Sequence, residues 1–364
     1  MSNEGPHSPG AVPNQDCGTA ASPQVTTPDG YVEFAALPDG RHRLTLRPNS
    51  QALYIPRPSC ETSFPVDLVR FIADRIPFAW ICESIARHED PAYVAQVLSH
   101  QVFSYFSPSA FAGKRVLDFG CGSGASTFHL AGMLPEAEII GVELNAISVE
   151  IAGKIAGYRA RPNVRFLRSP SGESLPPDLG QFDFIMFSAV YEHLLPAERK
   201  IVMPLLWRTL VPGGVLFINQ TPHRYFPYEH HSTKLWLINY MPDSLAHRLA
   251  RRYARHNPEL NRSGSWNDLL RGGIRGGTEG EIIRNLLADD RGGKAVILQP
   301  TQNGLRDRAD YWLSCTSAGR MRSLKKMLAA LFRITDRLWG TVPSINIDVV
   351  IRKMTPGKMS VTAR

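Results

Sequence analysis

No run of about twenty apolar residues occurs in this 364-residue chain, so no segment reads as a membrane-spanning helix. Residues 1–27 lack the apolar stretch of a secretory signal and are rich in Pro, Ser, Gly and Thr, which predicts a disordered tail over 1–28. Cysteine is sparse. The five residues Cys17, Cys60, Cys82, Cys121 and Cys315 are odd in number, far apart and without C-x-x-C spacing. That argues against a disulfide framework or a zinc ribbon and suits a reducing, cytoplasmic setting. The aromatic-rich basic motif of an RNA-binding module is missing, although the net charge is +8. The excess gathers in Arg248, Arg251, Arg252 and Arg255 and in Lys325, Lys326, Arg333 and Arg337, and is read as solvated helix faces. His223, Glu229, His230 and His231 lie close together but lack a recognised ligand spacing, so no metal is assigned.

What is present is an ordinary globular composition, 43% hydrophobic and 20% charged, in a chain long enough for a sizeable core. The most informative stretch is 116–124, an apolar run ending in Gly120, Gly122 and Gly124. It predicts a buried strand, a glycine turn that lets the backbone approach a ligand, and a helix over 125–133 whose first N–H groups are free. Gly120, Gly122 and Ala125 fit the dinucleotide pattern G-x-G-x-x-G/A, which alone does not select a cofactor. Asp118, two residues before the first glycine, would repel a pyrophosphate and attract an ammonium group. The form running from Asp118 to Gly124 resembles the first motif of class I S-adenosylmethionine (SAM)-dependent methyltransferases.

Further segments extend that resemblance over residues 110–222. The strand predicted over 138–143 ends in Glu143, which the resemblance makes the acid that accepts the ribose hydroxyls. Asn145 is close enough to line the same pocket. A third strand over 164–168 is followed by Ser169, where the family commonly has an Asp for the adenine amino group; Ser169 or a nearby backbone N–H takes that place. A fourth, almost wholly apolar strand over 182–188 leads to Glu192 and His193, like the E-H segment of the small-molecule branch. Leu210, Pro212, Gly213 and Gly214 form the family's turn before a fifth strand over 215–219. The resemblance implies an α/β fold with a Rossmann-like seven-stranded sheet, mostly parallel with the last strand antiparallel, and helices on both faces. It also implies SAM as cofactor, held by Asp118, Gly120, Cys121, Gly122, Gly124, Glu143, Leu144, Ser169 and Ser188, with Cys121 as packing.

Five regions are expected: the tail over 1–28, a hairpin and helical cap over 29–110, the cofactor core over 111–222, a helical insertion over 223–294, and a C-terminal part over 295–364 that completes the sheet. The hairpin rests on alternation over 31–55 around Pro38, Asp39 and Gly40, and the insertion includes a helix opened by a capping box at Thr278. An amphipathic helix over 320–339 carries an apolar band of Leu324, Met327, Leu328, Leu331, Phe332, Ile334 and Leu338. Packing on the sheet is expected for it, with a membrane surface as the alternative.

In an open α/β sheet the ligand lies beyond the carboxyl ends of the strands. Residues following strands four and five therefore meet the acceptor. His193 and His231 are the expected catalytic bases, and Tyr191, His223, Arg224 and Glu229 the expected substrate contacts; alternatively, Arg224 pairs with Glu229. Residues 222–231 resemble a P-x-R-x-F-P stretch followed by a histidine in a bacterial branch of the family. The reading is methyl transfer from SAM to a small molecule, at oxygen. The alternative is a SAM-binding scaffold or partner subunit without turnover. Asp118 and the Pro-Gly-Gly turn disfavour an NAD(P) oxidoreductase. The missing N-P-P-Y-type motif disfavours a nucleic-acid acceptor.

Overall fold

The computed structural model describes residues 23–254, 264–290, 292–316 and 321–354. The chain opens with an antiparallel sheet of four strands in sequential order, β1 (Gln24–Thr27), β2 (Gly30–Ala36), β3 (His42–Pro48) and β4 (Ser59–Thr62). Its alternation places Val32, Phe34, Leu44 and Leu46 inside. Strand β1 falls within the stretch expected as tail, because Val25 pairs with Val32 and is buried with it. Residues 1–22 of that tail, and Cys17, lie outside the described residues. The helices α1 (Val66–Ala73) and α2 (Ile81–Glu89) cover this sheet with Leu68, Val69, Ile72, Ile81 and Ile85. Helix α3 (Gln96–Tyr105) leads into the core.

The apolar runs of the sequence form one seven-stranded sheet. Its strands are β5 (Arg115–Phe119), β6 (Glu138–Glu143), β7 (Val164–Arg168), β8 (Phe182–Ser188), β9 (Leu210–Pro222), β10 (Ala295–Ile297) and β11 (Asn346–Lys353), in the order β10-β11-β9-β8-β5-β6-β7. Strands β5 to β9 pair in parallel, and β11 enters antiparallel between β9 and β10. Helices α4 (Ala125–Met133), α5 (Ala146–Arg159) and α6 (Pro196–Thr209) make the crossovers. Alternate residues of each strand serve opposite faces. Leu117, Ile140 and Phe187 meet Val202, Leu206 and Trp207 of α6 on one side, while Val116, Ile139 and Met186 meet Leu98, Val102 and Leu130 of α3 and α4 on the other. This is the Rossmann-like α/β fold that the sequence implies.

Beyond β9, helices α7 (Asp243–Tyr253) and α8 (Trp266–Arg271) close on their own small core of Ile238, Ala246, Ala250, Leu269, Leu270 and Ile274. Helix α9 (Glu279–Leu286), expected inside the insertion, belongs instead to the main body. Its Ile282 and Leu286 join the core beneath α6, and Thr278 caps it by accepting from the Glu281 N–H at 3.1 Å.

Helices α10 (Arg308–Cys315) and α11 (Arg322–Trp339) pack together through Ala309, Trp312, Ala329 and Phe332. This corrects the expectation that the apolar band of α11 packs on the sheet. The inward stripe is Ala329, Phe332 and Thr335, so Met327, Leu331, Ile334 and Leu338 lie on the other side of the helix and face solvent. No helix among the described residues is long and apolar enough to cross a membrane.

Candidate cofactor and acceptor site

The turn after β5 is a backbone conformation that only glycine adopts without strain. Gly120, Gly122 and Gly124 have φ of +74°, +55° and +90°. A Cβ on Gly120 would lie 2.5 Å from Cγ2 of Val190, and one on Gly124 would lie 2.6 Å from Cζ of Phe166. The loop is therefore pressed against the residues that follow β8 and against β7. Gly120→Ala should lower affinity for S-adenosylhomocysteine about tenfold or more, through left-handed strain of about 1–2 kcal/mol plus displacement of Val190. Calorimetric titration measures it, and wild-type affinity in the variant would remove the loop from the cofactor site.

A cavity of about 260 Å³ opens beyond the strand ends. Phe119, Gly120, Glu143, Leu144, Ser169, Val190, His193 and Arg271 are among its lining residues. Glu143 does two things there. One carboxylate oxygen accepts from the Gly122 N–H at 3.0 Å, and the other accepts from the N–H groups of Leu144 and Asn145, both at 2.8 Å. The acid thus ties the β6 end to the glycine loop. An ionised carboxylate offers about four lone-pair positions, so roughly one remains for a ligand hydroxyl. Asn145 caps α5, its side-chain oxygen accepting from Ile147 and Ser148. Ser169 gives its hydroxyl proton to the Ser174 carbonyl at 2.7 Å, which leaves the oxygen free only to accept.

Asp118 is placed differently from the sequence expectation. It is fully buried and does not line the cavity; the Ser126 and Thr127 hydroxyls donate to its carboxylate at 2.6 and 2.7 Å. Burial raises its pKa, against the lowering effect of those two hydroxyls. Through Oδ2 its carboxylate anchors the glycine loop to the first turn of α4. Cys121 packs beside Gly141, where a Cβ would come within 2.9 Å of its sulfur. Ser188, also outside the lining, ends β8 opposite Asn219 with its hydroxyl buried and unpaired.

At the acceptor end the structure brings His193 and His231 together, with ring centroids 5.4 Å apart, and adds Glu192. The Arg271 carbonyl lies 2.6 Å from Nδ1 of His193 and fixes that nitrogen as the donor, so Nε2 keeps a lone pair. Burial lowers the pKa of His193. His231 reaches solvent, yet packing and the facing His193 draw it down to about 4. Both imidazoles are neutral at pH 7. Glu192 is buried completely, which lifts its pKa to about 7; Thr221 donates to one of its oxygens at 3.1 Å. Arg271 reaches from α8 to grip the Glu198 carboxylate with both terminal nitrogens, holding the insertion against the cavity. Nothing in the sequence marks Arg271, which is remote from every motif. Glu192 was visible beside His193 but not separable from it.

None of the four expected substrate contacts lines the cavity. Tyr191 is buried in the core with its hydroxyl donating to Glu281 at 2.8 Å. His223 faces Glu279 at 3.7 Å. Glu229 receives the N–H groups of His231, Ser232 and Thr233 and builds their turn. The Glu229 carboxylate is taken up by that turn and not by Arg224, and neither residue lines the cavity. Tyr191, His223 and Glu229 are thus satisfied inward, at lower cost than an unpaired buried dipole.

The sheet order with β11 antiparallel and the acid-braced glycine loop define a nucleotide-binding α/β core. Residues 116–214 match the family described as a methyltransferase domain. The chain is 29% identical over 131 residues to the demethylmenaquinone methyltransferase of Lactococcus lactis subsp. lactis, covering 36% of this chain and 51% of that protein. It is 30% identical over 118 residues to the ubiquinone biosynthesis O-methyltransferase of Acinetobacter baylyi, covering 31% and 48%. PKMT2 from Rickettsia typhi superposes with a TM-score of 0.43 at 16% identity, over 71% of this chain and 52% of that one. The chain spans about half the length of these two curated relatives. This core is a class I SAM-dependent methyltransferase domain, and SAM is its cofactor. The cradle at Gly120 and the remaining acceptor position of Glu143 fit that group.

Proposed function

We propose that the protein transfers the methyl group of SAM to an oxygen of a small molecule. The observation that carries this reading is one cavity lined both by Gly120 and Glu143 and by His193. Bound SAM supplies a methyl on a positively charged sulfur. Gly120 and Glu143 hold the cofactor from one side, and Ser169 accepts from the adenine amino group. His193 and His231 present neutral imidazoles, with Glu192 beside them, where a hydroxyl must give up its proton. Arg271, at the end of α8, lines the same cavity and takes up space that water would otherwise fill. The insertion leaves space for a small acceptor. The names of two relatives, the ubiquinone biosynthesis enzyme and a tocopherol O-methyltransferase, support oxygen as the target atom.

The test is incubation of the full chain with methyl-labelled SAM and a panel of phenols, hydroxy acids and amines, following S-adenosylhomocysteine release and label in product. Label in a hydroxylated compound supports the reading. Label in amines alone moves the acceptor to nitrogen. Cofactor binding with no product across the panel would favour the non-catalytic scaffold.

A further inference from the structure

Glu192, His193 and His231 come from two separate chain segments, yet each offers a donor atom and the three atoms lie within 4.8 Å of one another. Glu192 has no measurable exposure, and its Oε1, unlike Oε2, has no hydrogen-bond partner. An unpaired carboxylate oxygen this deep is expensive unless a proton or a cation meets it. That same oxygen faces Nε2 of His193 at 3.9 Å, too far for a hydrogen bond. The other ring nitrogen of His193 is tied to the Arg271 carbonyl at 2.6 Å. This is the arrangement of a metal-ligating histidine, whose outer nitrogen is held by a backbone carbonyl while the inner lone pair points at the ion. Gly273 makes the room. It has φ of +86°, and a Cβ there would lie 2.7 Å from Cδ2 of His231 and 3.2 Å from Cγ of Glu192.

The geometry points to a divalent transition-metal site formed by Glu192, His193 and His231, of which His193 lines the cofactor cavity. Two imidazoles and one carboxylate suit zinc, manganese or ferrous iron, whereas magnesium and calcium prefer oxygen alone. Bonds of about 2.1 Å would draw the three donors to roughly 3.4 Å separation, a shift of about an ångström that side-chain rotation supplies. Three protein ligands would leave coordination positions open for a further ligand.

The role of the ion rests on the proposed methyl transfer; its binding does not. With metal bound the two imidazoles would serve as ligands in place of bases: an acceptor hydroxyl on the ion would have a lowered pKa and release its proton to water. The oxygen lone pair then forms the O–CH₃ bond as the S–CH₃ bond breaks and leaves its electrons on sulfur. The products are the methyl ether and S-adenosylhomocysteine.

The experiment uses the untagged full chain, stripped with chelator, without cofactor. Cobalt(II) is titrated by visible absorption and displaced by zinc, and S-adenosylhomocysteine affinity is measured in parallel. One equivalent of metal is expected. Glu192→Gln and His231→Ala should each weaken it by more than the 10–100-fold that outer-shell partners typically cost, with S-adenosylhomocysteine affinity unchanged. Wild-type protein that binds S-adenosylhomocysteine but no metal overturns the site. So does metal binding of equal stoichiometry and affinity in both variants, which places the ion on other histidines. If Glu192→Gln fails to fold, the exposed His231 carries the test alone. Metal bound without any affinity for S-adenosylhomocysteine would leave the site standing and remove the methyl-transfer reading.

Discussion

Replacing Glu143 by alanine should cost at least about 100-fold in affinity for S-adenosylhomocysteine. The carboxylate accepts three backbone N–H groups, one of them from Gly122 across the loop. Its removal deletes the acceptor offered to the ribose and also the brace that sets the loop. Hydrogen bonds to charged groups contribute about 1.5–3 kcal/mol each, and 1.4 kcal/mol is tenfold, so losing two such functions reaches roughly 100-fold. Glu143→Gln should fall between, because its amide keeps one accepting oxygen but turns a donor toward N–H groups. Thermal unfolding should change less than binding does, since the side chain lies at the cavity edge and not in the core. Calorimetric titration of both variants decides it. An affinity within threefold of wild type for Glu143→Ala would show that Glu143 does not contact the cofactor and that the loop holds without its brace.

The contrast between Glu143 and Asp118 shows what a sequence carries and what it withholds. Both read as acids placed to meet the cofactor. Strand ends and glycine turns were legible because they follow from backbone rules: an apolar run buried on both faces, then positions whose φ is positive. Side-chain direction was not legible. Asp118 turns inward because Ser126 and Thr127 present hydroxyls on the first turn of α4. Tyr191, His223 and Glu229 likewise find partners inside, and those partners lie 90, 56 and 2 to 4 residues away in the chain. Spacing along a chain identifies residues near a strand end without saying which way each one faces. The acceptor cluster was half legible for the same reason. His193 and His231 stood out as histidines after strands, but Gly273 and Arg271, which shape and cover the cluster, sit in an insertion without motif. The apolar band of α11 met the same limit: periodicity gave the helix and misassigned its inner face.

The second large effect lies away from the cavity. Arg308→Ala should destabilise the fold by about 3–5 kcal/mol, the usual result of removing one partner from a buried ion pair. Arg308 is buried, and its guanidinium binds Glu279 at 3.0 Å and Asp336 at 2.8 Å. It also donates to the carbonyl of Gly340 and thereby joins α9, α10 and the end of α11. At roughly 2–4 °C per kcal/mol for a domain of this size class, the midpoint should fall by about 6–20 °C. The pH dependence identifies the cause. Burial alone would raise the pKa of Glu279, but His223, the Arg308 charge and backbone donation outweigh it and hold the acid at about 2. A folded-state pKa below the unfolded value of about 4.3 means stability that is complete above that value and lost as pH falls toward 2. Without Arg308 the folded-state pKa of Glu279 rises, and this acid-labile contribution shrinks. The stability gap between wild type and Arg308→Ala should therefore narrow as pH falls from 6 to 3. Urea unfolding at several pH values measures the gap, and a gap that stays constant across that range would mean that Arg308 acts through packing rather than through its charge. Glu279→Gln supplies the cross-check: in that background Arg308→Ala should cost less, because one of the two buried carboxylates it would strand is already neutral.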